Sequence, residues 1–233
     1  MLPLVGVSFG TVLPLVLPWS EAAYTHLLHA DPPMAALARQ TGPLQRAPTR
    51  DYFGRLVRAI VGQQISGLAA AAIYRRLVER AVGPEAALPE TPSVAGRPGA
   101  PLQPQLLARL SDDELRACGL SNHKLLALRD LTARALDGRL DLAGLEQLPD
   151  AEVRAQLMAV RGVGRWTADM FLMFALGRPD VLPAADLGIQ QAVRRLYALP
   201  ALPAPKEVIA LAERGRWHPF ATAASFYLWE SLR

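Results

Sequence analysis

The sequence predicts an all-α protein, and three observations support this fold class. Apolar residues recur at helical spacing along most of the chain, as at Phe53, Leu56, Val57 and Ile60. Capping residues, glycines and prolines bound these segments, and apolar and polar residues never alternate long enough to indicate a strand. The chain has 233 residues, of which 51% are hydrophobic, so it can bury a sizeable core and is neither disordered nor collagen-like.

The predicted helices number about ten and follow one another in order along the chain. Ser20 is expected to cap a helix that runs to about residue 30, and Asp31 starts a second helix that ends at Gly42. The later helices are 51–61, 67–82 capped by Ser66, 111–119 with a Ser111/Glu114 capping box, 121–136, 150–159 capped by Asp150, 165–176, 187–199 capped by Asp186, 205–214 and 219–232. Residues 83–105 contain nine prolines or glycines and are expected to form a surface loop.

Charge and cysteine content limit the classes of partner and cofactor. Lys and Arg total 25 against 21 Asp and Glu, a formal net charge of +4, which permits a nucleic-acid partner without requiring one. The single cysteine, Cys118, excludes an intrachain disulfide and a four-cysteine zinc or iron–sulfur site. The apolar residues 1–19 lack a basic region and contain prolines, so we expect a packed N-terminal arm of a cytoplasmic protein, without a signal peptide or membrane span.

The most informative segment is 158–169, which predicts a helix, a tight Gly-x-Gly turn at Gly162 and Gly164, and a second helix. Such a turn presents backbone N–H groups at a helix N-terminus, where a phosphodiester can bind without sequence-specific contacts. A plain helical-hairpin turn is the alternative interpretation. Asp186 follows about 20 residues later, and a carboxylate close to a bound backbone indicates chemistry, because phosphates repel it. An ordinary N-cap is the other reading of Asp186, and both roles are compatible.

These motifs together resemble a known family of DNA repair enzymes. The run Gly-Val-Gly-Arg-Trp-Thr-Ala at 162–168, followed by Asp186 ahead of a helix, resembles the helix-hairpin-helix DNA glycosylases. The segments 62–66, 119–124 and 217–229 are similar to the alkylation-repair branch, 3-methyladenine DNA glycosylase II. The resemblance implies one module over 1–233 with two helical lobes and a DNA- and base-binding cleft between them. One lobe spans about 49–178, with the hairpin at 150–177, and the other spans 1–48 plus 179–233.

The resemblance also implies the reaction. Bifunctional relatives carry a lysine two residues after the second hairpin glycine, where this chain has Trp166, so a monofunctional enzyme without lyase activity is expected. Its partner would be duplex DNA, from which a monomer flips alkylated bases such as 3-methyladenine and 7-methylguanine and leaves an abasic site. Two alternatives stay open. One is a glycosylase of the same fold for etheno, deaminated or oxidised bases, and the other is a non-catalytic protein that binds damaged DNA.

Site roles follow from the matching positions. Asp186 would stabilise the oxocarbenium-like sugar and orient water, and Asp169 is expected to be structural. Trp166 and Trp229 would line a base pocket and hold a cationic base through cation–π contacts, although core packing is the simpler role of the tryptophans. Met170 would line the same pocket, at a position that is often aromatic in the family. Phe174, Phe226 and Tyr227 are expected in the core. Gln64 is expected to be the wedge that fills the space vacated by the flipped base, with a helix cap as the alternative.

The resemblance also implies contacts with DNA phosphates and a bound cation. The expected phosphate-binding residues are Gly162, Gly164, Thr167 and Lys124, and exposure to solvent is the alternative for Lys124. The main-chain carbonyls of Met158, Val160 and Val163 would bind a structural Na⁺ or K⁺, and no cofactor is expected to be required.

Overall fold

The computed structural model describes residues 16–47, 49, 51–83 and 102–232, and every regular element in these ranges is helical. The predicted all-α class is therefore confirmed. The expected N-terminal arm lies outside the described residues up to residue 15, and so do residues 84–101 of the expected loop. Across the described ranges, no helix combines the length and the apolar character that crossing a membrane requires.

Twelve α-helices and one 3₁₀ helix make up the described part of the chain. In order they are α1 (Ser20–Leu27), α2 (Pro32–Thr41), α3 (Tyr52–Gly62), α4 (Gly67–Val82), α5 (Pro104–Ala108), α6 (Asp112–Ala117), α7 (Asn122–Leu136), the 3₁₀ helix (Gly144–Gln147), α8 (Asp150–Met158), α9 (Arg165–Phe174), α10 (Leu187–Leu196), α11 (Pro205–Arg214) and α12 (Ala221–Glu230).

Three local predictions were wrong, each for an identifiable reason. The loop prediction missed α5, whose first residue is Pro104, because proline fits the first turn of a helix, where no N–H partner is needed. Ser20 is the first residue of α1 and is buried, while the preceding tryptophan occupies the N-cap. Asp150 likewise begins α8 behind the N-cap Pro149, and its carboxylate lies 3.3 Å from the Arg178 guanidinium. The predicted caps by Ser66, Asp186 and the Ser111/Glu114 box are confirmed.

The helices pack in two sets. In the first, α3 contacts α4, α7 and α9, while α5 and α6 pack on α7, and α8 on α9. In the second, α12 contacts α1, α2 and α10, and α10 also contacts α11. These sets fall within the ranges drawn for the two lobes, and one continuous hydrophobic core runs through both. The hairpin α8–α9 belongs to the first set and the start of α10 belongs to the second. A residue of the expected cleft between the lobes therefore lies where the hairpin meets the start of α10.

Candidate active site

Asp186 lies at the start of α10, and three N–H groups hold its carboxylate. Oδ1 accepts from the backbone N–H of Ile189 at 2.9 Å, which is the predicted cap, and from Trp229 Nε1 at 2.9 Å. Oδ2 accepts from Trp166 Nε1 at 2.7 Å. A carboxylate that receives a donor on each oxygen is fixed in rotation and keeps lone pairs available for a further contact.

The two tryptophans come from different sets of helices, Trp166 from the first set and Trp229 from the second. Trp166 is in the first turn of α9 and is 44% exposed, whereas Trp229 is near the end of α12 and partly buried. The Trp229 ring stacks on Phe174 with centroids 5.9 Å apart and an interplanar angle of 20°. Sequence reasoning placed both tryptophans at the base and missed their bonds to Asp186. The available signal was that a buried or half-buried indole N–H needs an acceptor. Their contact with a base stays a prediction.

Gly188 makes the approach of Trp229 possible. A Cβ at this position would lie 3.0 Å from Asp186 Oδ1 and 3.1 Å from the Trp229 ring, closer than most real Cβ contacts. The glycine stands in the first turn of α10, where it costs helix stability relative to alanine. A glycine in the first turn of a helix is therefore the sequence signal for this close approach.

The hairpin has the geometry expected for a turn that binds phosphate. Gly162 has φ +74°, a left-handed conformation that favours glycine, and Gly164 is the N-cap of α9 with no side-chain cap. The Val163 N–H is bonded to the Val160 carbonyl at 3.1 Å. Within the described part of the chain, the N–H groups of Gly162 and Gly164 have no hydrogen-bond acceptor. Both groups are therefore available to an anion, and their binding to DNA phosphate stays a prediction.

Gln63, the C-cap residue of α3, ties this helix to the hairpin. Gln63 Nε2 donates to the Gly162 carbonyl at 2.9 Å and lies 3.4 Å from Thr167 Oγ1. Thr167 is only 3% exposed, so its hydroxyl faces the protein interior. This burial does not support the expected phosphate contact by Thr167.

The segment between α3 and α4 is exposed. Gln64, the expected wedge, has φ +58° and an exposed side chain. Beside it Ile65 is 38% exposed and Leu68 is 88% exposed, and sequence reasoning did not single out either residue. Leu68 lies in the first turn of α4, after the polar N-cap Ser66, and Ile65 directly precedes that cap. The geometry is compatible with a wedge at Gln64, which stays a prediction.

Lys124 has a local partner. Its Nζ donates to the carbonyl of Val61 at 2.7 Å, near the C-terminal end of α3, and burial lowers the pKa of the ammonium group. A cation at a helix C-terminus stabilises the helix dipole and its unpaired carbonyls. Lys124 thus supports the segment that carries Gln63 and Gln64. Since an ammonium has three N–H groups, an additional phosphate contact stays a prediction.

A cavity of about 130 Å³ opens between α3 and α9. Met170 lines it, as does Phe174, whose ring is partly exposed and also stacks on Trp229. Phe174 was expected in the core; it packs against the core, with its ring centroid 5.2 Å from that of Phe226, and it also lines the cavity because its position one turn after Met170 faces the same space. Phe226 and Tyr227 are buried as predicted, with 1% and 0% exposure.

Asp169 is structural, as expected. Its carboxylate is 4% exposed and lies 2.6 Å from Arg154 of α8 and 3.2 Å from Arg165 of α9, so it joins the two arms of the hairpin. Within the described residues, no group of three or more His, Cys, Asp or Glu side chains is arranged to hold a metal ion. The cation expected at the main-chain carbonyls of Met158, Val160 and Val163 is a separate kind of site and stays a prediction.

The chain is similar in sequence and in fold to known DNA repair proteins. Residues 57–216 match the family described as HhH-GPD superfamily base excision DNA repair protein. The chain is 30% identical over 215 residues to DNA-3-methyladenine glycosylase 1 of Schizosaccharomyces pombe, covering 91% of this chain and 87% of that protein. The fold is similar to a solved structure of S. pombe 3-methyladenine DNA glycosylase in complex with abasic DNA, with a TM-score of 0.73, 30% identity and coverage of 90% and 96%. It is equally similar to a DNA-3-methyladenine glycosidase from Bacillus halodurans, with a TM-score of 0.73, 34% identity and coverage of 90% and 88%.

Proposed function

This chain belongs to the HhH-GPD superfamily of base excision DNA repair proteins, and from that premise we propose that it is a monofunctional DNA glycosylase that removes alkylated purines from duplex DNA. The observation that carries the proposal is the Asp186 carboxylate, held by two indole N–H groups and a helix cap beside the hairpin. A protein that only binds damaged DNA has no need for an oriented carboxylate next to a phosphate site. Relatives named DNA-3-methyladenine glycosylases support the substrate class.

The hairpin is the first element to act on the substrate. The free N–H groups of Gly162 and Gly164 bind a DNA phosphate, and the positive end of α9 adds to the attraction. The damaged nucleotide then leaves the base stack, which costs a few kcal/mol and costs least for a weakened base pair. Gln64, exposed beside the cleft, fills the space that the base vacates.

Bond cleavage depends on Asp186. An alkylated purine that carries a positive charge leaves as a neutral base with the electrons of the N-glycosidic bond, so no strong acid is required. The sugar develops positive charge at C1′ and the fixed carboxylate stabilises it electrostatically. Water then adds to C1′ and releases one proton, which produces an abasic site. Trp166 stands where lyases need an amine, and an indole N–H cannot attack the sugar.

The direct test measures free bases released from methylated duplex DNA, using the wild type, Asp186→Asn and Asp113→Asn. Asp113 is a suitable control because its side chain is 97% exposed on α6. We expect methylpurine release by the wild type and the control, and none by Asp186→Asn. Release by Asp186→Asn at the wild-type rate would contradict the catalytic role. If no variant releases a base although DNA binding persists, another lesion or a binding role replaces the proposal.

We further propose that the protein acts as a cytoplasmic monomer. The Asp186 site is assembled from α9, α10 and α12 of one chain, so it needs no second subunit. Light scattering on the purified protein, alone and with a short duplex, tests the monomeric state directly. A stable dimer in either condition would contradict it.

A further inference from the structure

The cavity between α3 and α9 has few polar groups on its lining. Met170, Phe174 and Ala59 contribute apolar surface, while Arg55 and Arg58 bring two guanidinium groups from α3. At about 130 Å³ the space is far larger than one water molecule needs. Phe174 links it to the Asp186 site through its stack on Trp229. Phe174 therefore borders both the cavity and the tryptophan that binds Asp186.

The two arginines differ in their partners. The Arg58 guanidinium lies over the ring of Tyr74, 4.2 Å from its centroid. The Arg55 guanidinium makes no hydrogen bond and no ion pair with any residue in the described ranges. Burial and the nearby charge of Arg58 lower the pKa of Arg55, and Asp51 compensates only at a distance, since its carboxylate caps α3 at Gly54.

An arginine in this position is ready to bind a hydrogen-bond acceptor. A guanidinium has five N–H donors and no acceptor, and it stays charged in proteins. Partly buried polar groups normally have partners, so a cation without one at a cavity wall indicates a group that a ligand completes. Arginine pairs well with the O6 carbonyl of guanine, whereas the N6 amino group of adenine presents donors that would face donors.

We propose that Arg55 reads the 6-position of the flipped purine and speeds the release of a 6-carbonyl base, such as 7-methylguanine, relative to that of a 6-amino base, such as 3-methyladenine. This inference rests on the proposed glycosylase function and assigns its substrate preference to one side chain. Both lesions are cationic in DNA, so repulsion from the guanidinium is common to the two and cancels in their ratio. The carbonyl in place of the amino group is the chemical difference that Arg55 detects.

The test measures 7-methylguanine and 3-methyladenine released together from one preparation of methylated DNA, under single-turnover conditions. The variants are Arg55→Gln, Arg55→Lys and the matched control Arg58→Gln, each checked by thermal unfolding. Glutamine offers both a donor and an acceptor, so we expect the ratio of 7-methylguanine to 3-methyladenine rates to fall about tenfold. Lysine has donors only and should keep the wild-type ratio, and Arg58→Gln should change both rates by the same factor.

The proposal would be overturned if folded Arg55→Gln keeps the wild-type ratio of 7-methylguanine to 3-methyladenine rates, or if Arg58→Gln changes this ratio equally. Release of both bases by the wild type would still support the glycosylase function in that case. A second measurement needs no variant and decides the matter even if Arg55→Gln does not fold. Free hypoxanthine and adenine are neutral purines that differ at the 6-position. We expect hypoxanthine to inhibit the wild type at about tenfold lower concentration than adenine, and the absence of this preference would equally overturn the inference.

Discussion

Replacing Trp229 with phenylalanine tests whether indole donors position the catalytic carboxylate. The change removes the 2.9 Å bond to Asp186 Oδ1 and retains an aromatic ring for the stack on Phe174. Oδ1 keeps its bond from the Ile189 N–H, and Oδ2 keeps the bond from Trp166. Asp186 thus loses one of its three donors, and its carboxylate is held less tightly.

The size of the effect follows from the type of bond. A hydrogen bond to a charged group contributes about 1.5–3 kcal/mol, and each 1.36 kcal/mol of lost transition-state stabilisation is about tenfold in rate. Because the bond holds Asp186 before and during the reaction, only part of this energy appears in the barrier. We expect the single-turnover rate of Trp229→Phe to fall about tenfold, with unchanged affinity for an abasic-site duplex.

Trp217→Phe is the matched control. Trp217 is also an indole whose Nε1 donates to a carboxylate, at 3.3 Å from Asp31 Oδ1, and it is fully buried. This variant should lower the free energy of unfolding and leave the rate of base release intact. The positioning argument is refuted if folded Trp229→Phe cleaves at the wild-type rate, or if Trp217→Phe slows cleavage as much.

Three further predictions concern the supporting structure. Gly188→Ala should slow base release about as much as Trp229→Phe, since the new Cβ would lie 3.1 Å from the Trp229 ring, and single-turnover kinetics would measure it; a wild-type rate would contradict this. Asp169→Ala should lower the free energy of unfolding by about 3 kcal/mol, because the change leaves the mostly buried Arg154 unpaired. Urea denaturation measures this free energy, and a decrease below about 1 kcal/mol would contradict the prediction. Gly162→Ala should weaken binding to duplex DNA, because the φ of +74° at this position strains alanine by about 1–2 kcal/mol and distorts the turn. Fluorescence anisotropy at low salt would detect the loss of affinity. An affinity equal to that of the wild type would exclude the hairpin as the phosphate site.

The helices were predictable where local chemistry bounds them. Ser111 with Glu114, and Asp186, are caps whose hydrogen bonds reach only three residues along the chain, so the sequence contains the whole interaction. Ser20 and Asp150 have equally good capping side chains, and yet the residue before each became the N-cap. Both side chains have other surroundings: Ser20 is buried, and Asp150 lies beside Arg178. Tertiary packing decided these boundaries, and a local pattern cannot reveal it.

The site was predictable in its residue types and not in its connections. Asp186, Trp166 and Trp229 were named from motifs, but the bonds between them span 20 and 43 residues of sequence. Arg55 was missed for a related reason. The periodicity of α3 identifies its apolar face, which is buried, and gives no information about a charged residue at the edge of that face. Only the position of α9 shows that this edge faces a cavity.

The residue at position 166 explains why the hairpin and the Asp186 carboxylate lead to base removal without strand cleavage. The side chain two residues after Gly164 lies in the first turn of α9 and points at Asp186, as the 2.7 Å bond from Trp166 shows. A lysine reaching the same place would put an amine beside the sugar, and an amine can form a Schiff base at C1′. An indole N–H only donates, so it strengthens the placement of the carboxylate and supplies no nucleophile. Water is then the nucleophile that adds to C1′, because the residue at position 166 supplies no amine and instead donates a hydrogen bond to Asp186.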